Sequence, residues 1–253
     1  MKKYVLGVKI DDVNMEQAIK VVEKWLENGK KHYIVTPNPE IVMMARSDKR
    51  ILDIINKADL AIPDGKGLRL TGDIVCHIPG IDFMEELIKL SSEKGFTIGL
   101  LGARDGVAER CAKCLLRKYP KLNIVFAENG GEVDNNGNVI VNKRLPLPHH
   151  MVRDRNDDEV DILFVAFGPP KQEKWIAKNL PNLDVKVAMG VGGAFDYLSG
   201  RVQRAPIWIR NLGFEWLFRL ILQPWRIKRQ FALLKYVWYL IRNSKDFHGD
   251  DKV

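Results

Sequence analysis

Short, mostly apolar runs that stop at glycine or proline constrain this chain more than any other feature of its sequence. Residues 96–101 are one such run, ending in Gly102-Ala103-Arg104-Asp105-Gly106. Residues 162–167 are a second, ending in Gly168-Pro169-Pro170-Lys171-Gln172-Glu173, and residues 185–189 a third, ending in Gly190-Val191-Gly192-Gly193-Ala194-Phe195-Asp196. Strands that are apolar on both faces, with only Thr97 and Lys186 as polar exceptions here, read as the interior of a parallel sheet. Residues 3–10 and 32–36 also read as strands. Between them, residues 15–28 carry Ala18, Ile19, Val22, Trp25 and Leu26 at helical spacing. Further helices are expected near 49–57, from Val107 to Lys118, and from Trp175 onward. The alternation predicts an α/β fold: a Rossmann-like, mostly parallel sheet flanked by helices, with a helical, basic appendage at the C-terminal end.

In open α/β sheets ligands bind beyond the carboxyl ends of the strands, and that is where the polar residues of this chain gather. Ala61-Ile62-Pro63-Asp64-Gly65-Lys66-Gly67 is a short apolar run that breaks at proline and presents one carboxylate ahead of two glycines. Glycine permits a sharp turn and a close approach of substrate, so Asp64 suits a general base, although Pro-Asp-Gly is also ordinary turn chemistry. Thr36-Pro37-Asn38-Pro39-Glu40 follows the 32–36 strand; its two prolines predict an extended loop ahead of a helix from Ile41, holding a hydroxyl, an amide and a carboxylate rigidly. Gly102, between a strand and the helix from Val107, fits a phosphate cradle at a helix N-terminus. The dinucleotide fingerprint Gly-x-Gly-x-x-Gly is absent, which speaks against a nicotinamide oxidoreductase. The polar groups after residues 167 and 189 read either as loop and cap residues or as walls of a sugar-nucleotide pocket.

Charge divides the chain in two. Of the net +8, all lies between residues 201 and 242, where nine bases face the single acid Glu215, while the rest is balanced. This predicts a catalytic domain over 1–206 and a membrane-associating appendage over 207–253. In the appendage Ile227, Phe231, Leu234, Trp238 and Ile241 form one apolar helical face, ringed by Arg226, Lys228, Arg229 and Lys235. That pattern suits an interfacial helix on an anionic membrane surface, and it also suits a core helix docked on the domain. Pro224 is expected to divide the helices on either side. A nucleic-acid module would account for the same basic, aromatic tail; the expectation is no nucleic acid, and retention on heparin but not on anionic vesicles would reverse it.

Three cysteines make no disulfide framework, and with an apolar run at residues 4–8 too short for a secretory signal the expected location is cytoplasmic, peripheral on the inner face of the membrane. Cys111-x-x-Cys114 falls within a predicted helix and has no second pair, so it reads as neither a zinc nor a redox site. Asp134-Asn135-Asn136-Gly137-Asn138 resembles a calcium loop but lacks the required glycine and terminal glutamate; a hairpin turn is expected. Pro146, Pro148 and the charged run from Arg153 to Glu159 suggest an exposed loop. The sequence leaves a homo-oligomer open.

Taken in order, the strand-end loops resemble the bacterial TagA/WecG/CpsF family of glycosyltransferases. The matching residues are Thr36-Pro37-Asn38-Pro39-Glu40, Pro63-Asp64-Gly65-x-Gly67, Gly80-x-Asp82, Gly168-x-Pro170-Lys171-Gln172-Glu173, Gly190-x-Gly192-Gly193-x-Phe195-Asp196, Arg204-Ala205-Pro206, Gly213-x-Glu215-Trp216-Leu217, and the tail arginines Arg219, Arg226 and Arg229. The resemblance implies transfer of a sugar, N-acetylmannosamine by first expectation, from a UDP-sugar to an undecaprenyl-diphosphate-linked acetamido sugar. It implies inversion, no cofactor and no required metal. UDP-ManNAc uronic acid and UDP-glucose remain alternative donors. By the same resemblance Asp64 is the base, Thr36, Asn38 and Gln172 surround the reacting sugars, and Arg219, Arg226 and Arg229 hold the lipid diphosphate. Glu40, Gly102, Lys171, Gly192, Gly193, Asp196 and Arg204 are the further expected substrate contacts. Two departures stand out: His77 replaces the family's usual arginine, and the proline-broken stretch 139–160 replaces a helix.

The chemistry is consistent with this set. Inverting transfer needs one positioned carboxylate, and a diphosphate leaving group needs cations or N–H dipoles. No Asp-x-Asp pair occurs to recruit a metal, so Lys171, Arg204 and the tail arginines are the expected counter-charges.

Overall fold

An apolar run cannot reveal a turn that falls inside it, and the first element is the example. Residues 3–10 are not one strand but a hairpin, β1 (Lys2–Val5) against β2 (Val8–Asp11). Leu6 and Gly7 both take positive φ, 49° and 88°, as a two-residue hairpin turn demands. The structure is a computed structural model and describes residues 1–140, 159–224 and 227–246. The expected exposed loop with Pro146, Pro148 and Arg153 lies outside those residues, as does Arg226.

The chain continues through α1 (Met15–Glu27), β3 (His32–Val35), α2 (Pro39–Ser47), α3 (Lys49–Lys57) and β4 (Leu60–Ala61). A 3₁₀ turn (Lys66–Thr71) precedes α4 (Gly80–Lys94), β5 (Thr97–Gly102), α5 (Val107–Lys118) and β6 (Asn123–Glu128). Asn14 caps α1 with a reciprocal bond to Gln17, which fixes the start of the helix. Helix α2 begins two residues before the expected Ile41, because the Asn38 side chain accepts from Ile41 N–H at 3.0 Å and Pro39 occupies the first helical turn. The turn over 134–138 is a hairpin between β7 (Glu132–Val133) and β8 (Val139–Ile140), its Asp134 carboxylate accepting from the N–H groups of Asn136 and Asn138.

Then follow β9 (Val160–Ala166), α6 (Lys171–Asn179), β10 (Val185–Gly190), α7 (Ala194–Leu198), α8 (Ile207–Leu212), α9 (Glu215–Leu222) and α10 (Ile227–Asp246). Trp175 lies in the second turn of α6 rather than opening it, so Lys171, Gln172 and Glu173 are the first helical turn. Pro224 separates α9 from α10 as expected.

Six strands form one parallel sheet in the order β4-β3-β10-β9-β5-β6. Leu163 and Val165 of β9 face a core layer with α2, α3 and α6. Ile162 and Phe164 face the opposite layer, with α1, α4 and α5. Burial on both faces is the physical reason β9 and β10 lack polar alternation. The strand order reverses between the β3 and β9 sides, so the carboxyl ends of β3, β10 and β9 splay loops around one crevice.

Helix α10 docks on the domain by one face and leaves the other exposed. Tyr236 is fully buried in the α2 layer, with Leu233, Val237 and Leu240 packed beside it, and Arg46 of α2 stacks on the Tyr239 ring at 4.1 Å. The stripe of Ile227, Phe231, Leu234, Trp238 and Ile241 points away and is exposed, Phe231 at 58% and Trp238 at 52%. Trp208 and Ile221 of α8 and α9 are exposed as well. No helix among the described residues is long and apolar enough to cross a membrane.

Candidate functional site

The loop after β4 is built to hold one carboxylate. Ile62 N–H continues the ladder to Val35 carbonyl at 2.9 Å, and Asp64 N–H donates to Pro37 carbonyl at 2.9 Å, strapping the Asp64 turn to the loop that carries Thr36 and Asn38. Gly65 takes φ +91°, and Gly67 packs so tightly under Pro39 that a Cβ there would come within 2.7 Å of the ring. Gly80, the first residue of α4, sits between Thr36 and Asp64. A Cβ on it would be 3.3 Å from Thr36 Cγ2 and 3.5 Å from Asp64 Oδ2. The Gly80 backbone N–H lies beside the Asp64 carboxylate and favours its charged form.

Burial pushes the Asp64 carboxyl up to about 7, with the negative charges of Glu215 and Asp82 adding to it; the Gly80 N–H and the Arg204 guanidinium pull the other way. A carboxyl that exchanges its proton near neutrality is matched to general-base work. His77, the departure noted from sequence, lines the same cleft. Burial and the nearby Lys66 and Arg69 charges lower its pKa.

Thr36, Asn38, Glu40, Asp64, Lys171, Gln172, Gly192, Gly193, Asp196 and Arg219 all line one cleft of about 1250 Å³ at the carboxyl edge of the sheet. Leu233 and Val237 of α10 complete one wall, so the C-terminal helix is part of the cleft. Two expected contacts do not line it. Gly102, at φ +108°, lies against the Ala166 backbone, where a Cβ would come within 2.8 Å; it makes room for β5 beside β9, and Ala103 and Arg104 form the wall instead. Arg204 sits behind the Asp64 wall, its Nη1 paired with Asp82 and its Nε 3.4 Å from Glu215. The Arg229 side chain lies outside the described residues.

Other cleft residues carry more than a contact. Lys171 Nζ donates to Val133 carbonyl at 2.6 Å, fastening the β7–β8 hairpin to the first turn of α6. Gln172 is 98% buried, its amide engaged by the backbone of both neighbouring loops. Arg219 stacks over the Tyr197 ring at 4.8 Å, and its Nε is buried with no hydrogen-bond partner. Arg210 Nε is likewise buried and unpartnered, and Arg210 also lines the cleft. Arg104, Arg210 and Tyr197 were not singled out as contacts from the sequence. Arg104 directly follows a strand-end glycine and its neighbour, which is a usable signal; Arg210 and Tyr197 belong to no spacing pattern.

Among the described residues no cluster of three His, Cys, Asp or Glu side chains is placed to hold a metal ion. Cys111 is buried within α5, with its thiol pushed up to about 12, which makes it a packing residue rather than a nucleophile.

The family described as "Glycosyl transferase WecG/TagA/CpsF family" matches residues 3–249. Among curated proteins, the N-acetylglucosaminyldiphosphoundecaprenol N-acetyl-beta-D-mannosaminyltransferase of Staphylococcus aureus (strain MRSA252) is 34% identical over 232 residues, covering 89% of this chain and 86% of that protein. The protein of the same name from Staphylococcus aureus strain NCTC 8325 / PS 47 is similar at the same identity and coverage.

Proposed function

We propose, from the premise that this chain belongs to the WecG/TagA/CpsF family of glycosyl transferases and is a glycosyltransferase, that it moves N-acetylmannosamine from a UDP-sugar to GlcNAc carried on undecaprenyl diphosphate, with inversion. The observation that carries the mechanism is Asp64: a carboxyl titrating at about 7 in the wall of a cleft formed by strand-end loops. In the proposed step the Asp64 carboxylate takes the proton of the acceptor hydroxyl. The hydroxyl oxygen forms its bond to the anomeric carbon as the bond to the diphosphate oxygen breaks on the opposite face, and UDP leaves. Thr36 and Asn38, tied to the same turn, are the residues best placed to orient the sugars. Arg219 and Arg210, which line the cleft and each keep a buried Nε without a hydrogen-bond partner, supply positive charge for a diphosphate, with Arg104 lining the same cleft. Arg204 is committed to Asp82 and Glu215 and acts on the base rather than on phosphate.

The exposed apolar stripe of α10, continued on α8 and α9, supports peripheral attachment to an anionic membrane surface, where the lipid-linked acceptor resides. UDP release from a panel of UDP-sugars, with a polyprenyl-diphosphate-GlcNAc analogue as acceptor, tests the reading. UDP-ManNAc is expected to react and UDP-glucose to fail; the reverse would reassign the donor. Excess EDTA is expected to leave the rate unchanged, and activity lost to EDTA and restored by magnesium would overturn the metal-free step.

A further inference from the structure

Two of the cleft's loops come from different strands and are joined by one side chain. Gln172 Oε1 accepts from Gly168 N–H at 3.1 Å, in the loop after β9, and from Gly192 N–H at 2.9 Å, in the loop after β10. This holds only while the amide keeps one of its two orientations. If it flipped, the NH₂ group would face two N–H donors, and both would be left without an acceptor. The orientation is set on the other side of the amide, where Gln172 Nε2 donates to Glu173 Oε1 at 2.9 Å.

Glu173 is 2% exposed and its Oε2 has no hydrogen-bond partner. A buried carboxyl with half its capacity unused is a costly choice for packing alone. Its burial pushes it up to about 7, but protonated or not, Oε1 can accept the Gln172 bond. Gly190 provides the space: a Cβ at that position would come within 2.7 Å of Gln172 Nε2.

We infer that Glu173 is a positioning residue which locks the Gln172 amide and so fixes the spacing of the Gly168 and Gly192 loops across the cleft. The consequence for substrate rests on the transferase reading above; the lock itself does not. A cleft whose two loops are free to part loses preorganisation for its ligand.

The test uses the full chain and two readouts. Hydrogen exchange of the Gly168 and Gly192 amides in the free protein reports the lock without reference to any activity. KM and kcat with UDP-sugar report its effect on the cleft. Glu173→Leu removes the acceptor; both amides are expected to exchange about tenfold faster together, each having lost a bond of ordinary strength, and KM for the UDP-sugar is expected to rise more than kcat falls. Glu173→Gln retains an oxygen acceptor and is expected to restore both readouts, which a merely space-filling role would not require. Gly190→Ala displaces the same amide without touching Glu173, and is expected to release the same two amides even if Glu173→Leu folds poorly. Unchanged exchange at Gly168 and Gly192 in a folded Glu173→Leu variant would overturn the inference, as would unchanged exchange in Gly190→Ala or a Glu173→Gln variant as impaired as Glu173→Leu. Released amides in a protein that transfers no sugar from any UDP donor would leave the lock standing and the transferase reading wrong.

Discussion

Asp64 is placed to trade stability for basicity, and the trade has a sign that can be measured. Its folded pKa of about 7 lies above the ordinary 3.8, so between those values the folded protein holds a proton that the unfolded chain has released. Stability therefore falls as pH rises through that window and levels off above about 7. Asp64→Asn should lower transfer by about 10²-fold or more while UDP-sugar binding survives, and it should raise Tm, by more at pH 8 than at pH 5. In the wild type kcat should rise with pH through a midpoint near 7. An Asn variant with near-normal turnover would move the base to another carboxylate of the cleft, Glu40 or Asp196. Arg204 gives the complementary test. Its charge opposes the upward shift of Asp64 and neutralises Asp82 and Glu215. Arg204→Gln should move the midpoint of the pH–rate profile upward, so that activity lost at pH 7 is partly regained at pH 9. A loss equal at every pH would instead mark Arg204 as a direct phosphate ligand.

At the scale of elements, the cleft depends on glycines that let one segment approach another. Gly193, in the loop after β10, is the plainest case, because a Cβ there would overlap the Arg219 guanidinium from α9. Gly193→Ala should displace Arg219 from the Tyr197 ring and raise KM for the lipid-diphosphate acceptor several-fold, with Tm little changed; an unaltered acceptor KM would remove Arg219 from the acceptor site. The strand-end loops were legible because glycine and proline punctuate them, and α1 and α3 are bounded by local caps, Asn14 and Asp48, whose side chains accept from the first helical turn. The β1–β2 turn was not legible, since Leu6 is an unusual residue at positive φ. The start of α6 was obscured by Gly168, Pro169 and Pro170, which read as loop although the first turn follows directly.

For the whole molecule, the question is what α10 does with two apolar faces. Tyr236 and its neighbours cover the α2 layer and line the cleft, whereas Phe231 and Trp238 face outward. Removing everything beyond residue 206 would thus strip both the proposed membrane face and a wall of the cleft. Phe231→Ser with Trp238→Ser separates the two: Tm and UDP binding should hold, while binding to anionic vesicles weakens at least tenfold, as expected from losing two interfacial aromatic anchors. Residual binding should fall further with salt, because the basic contribution is screened over about 8 Å at physiological ionic strength. Vesicle binding unchanged by the double substitution would place the membrane contact elsewhere.

The sequence by itself determined the layered α/β plan, the strand-end loops that carry the polar residues, and the concentration of basic charge at the C-terminal end. These follow from local information: periodicity, turn residues and charge counted along the chain. Only the tertiary structure decided which cations are free. Arg204 and Lys171 look like phosphate ligands in one dimension, yet the first is held by Asp82 and Glu215 away from the cleft lining and the second by the Val133 carbonyl, whereas Arg210 and Arg219 line the cleft without an acidic partner among the described residues. The same holds for Asp64, whose basicity comes from burial and from Glu215, distant in sequence. A side chain's charge is written in the sequence, but its partners and its desolvation are set by segments that meet only when the chain has folded.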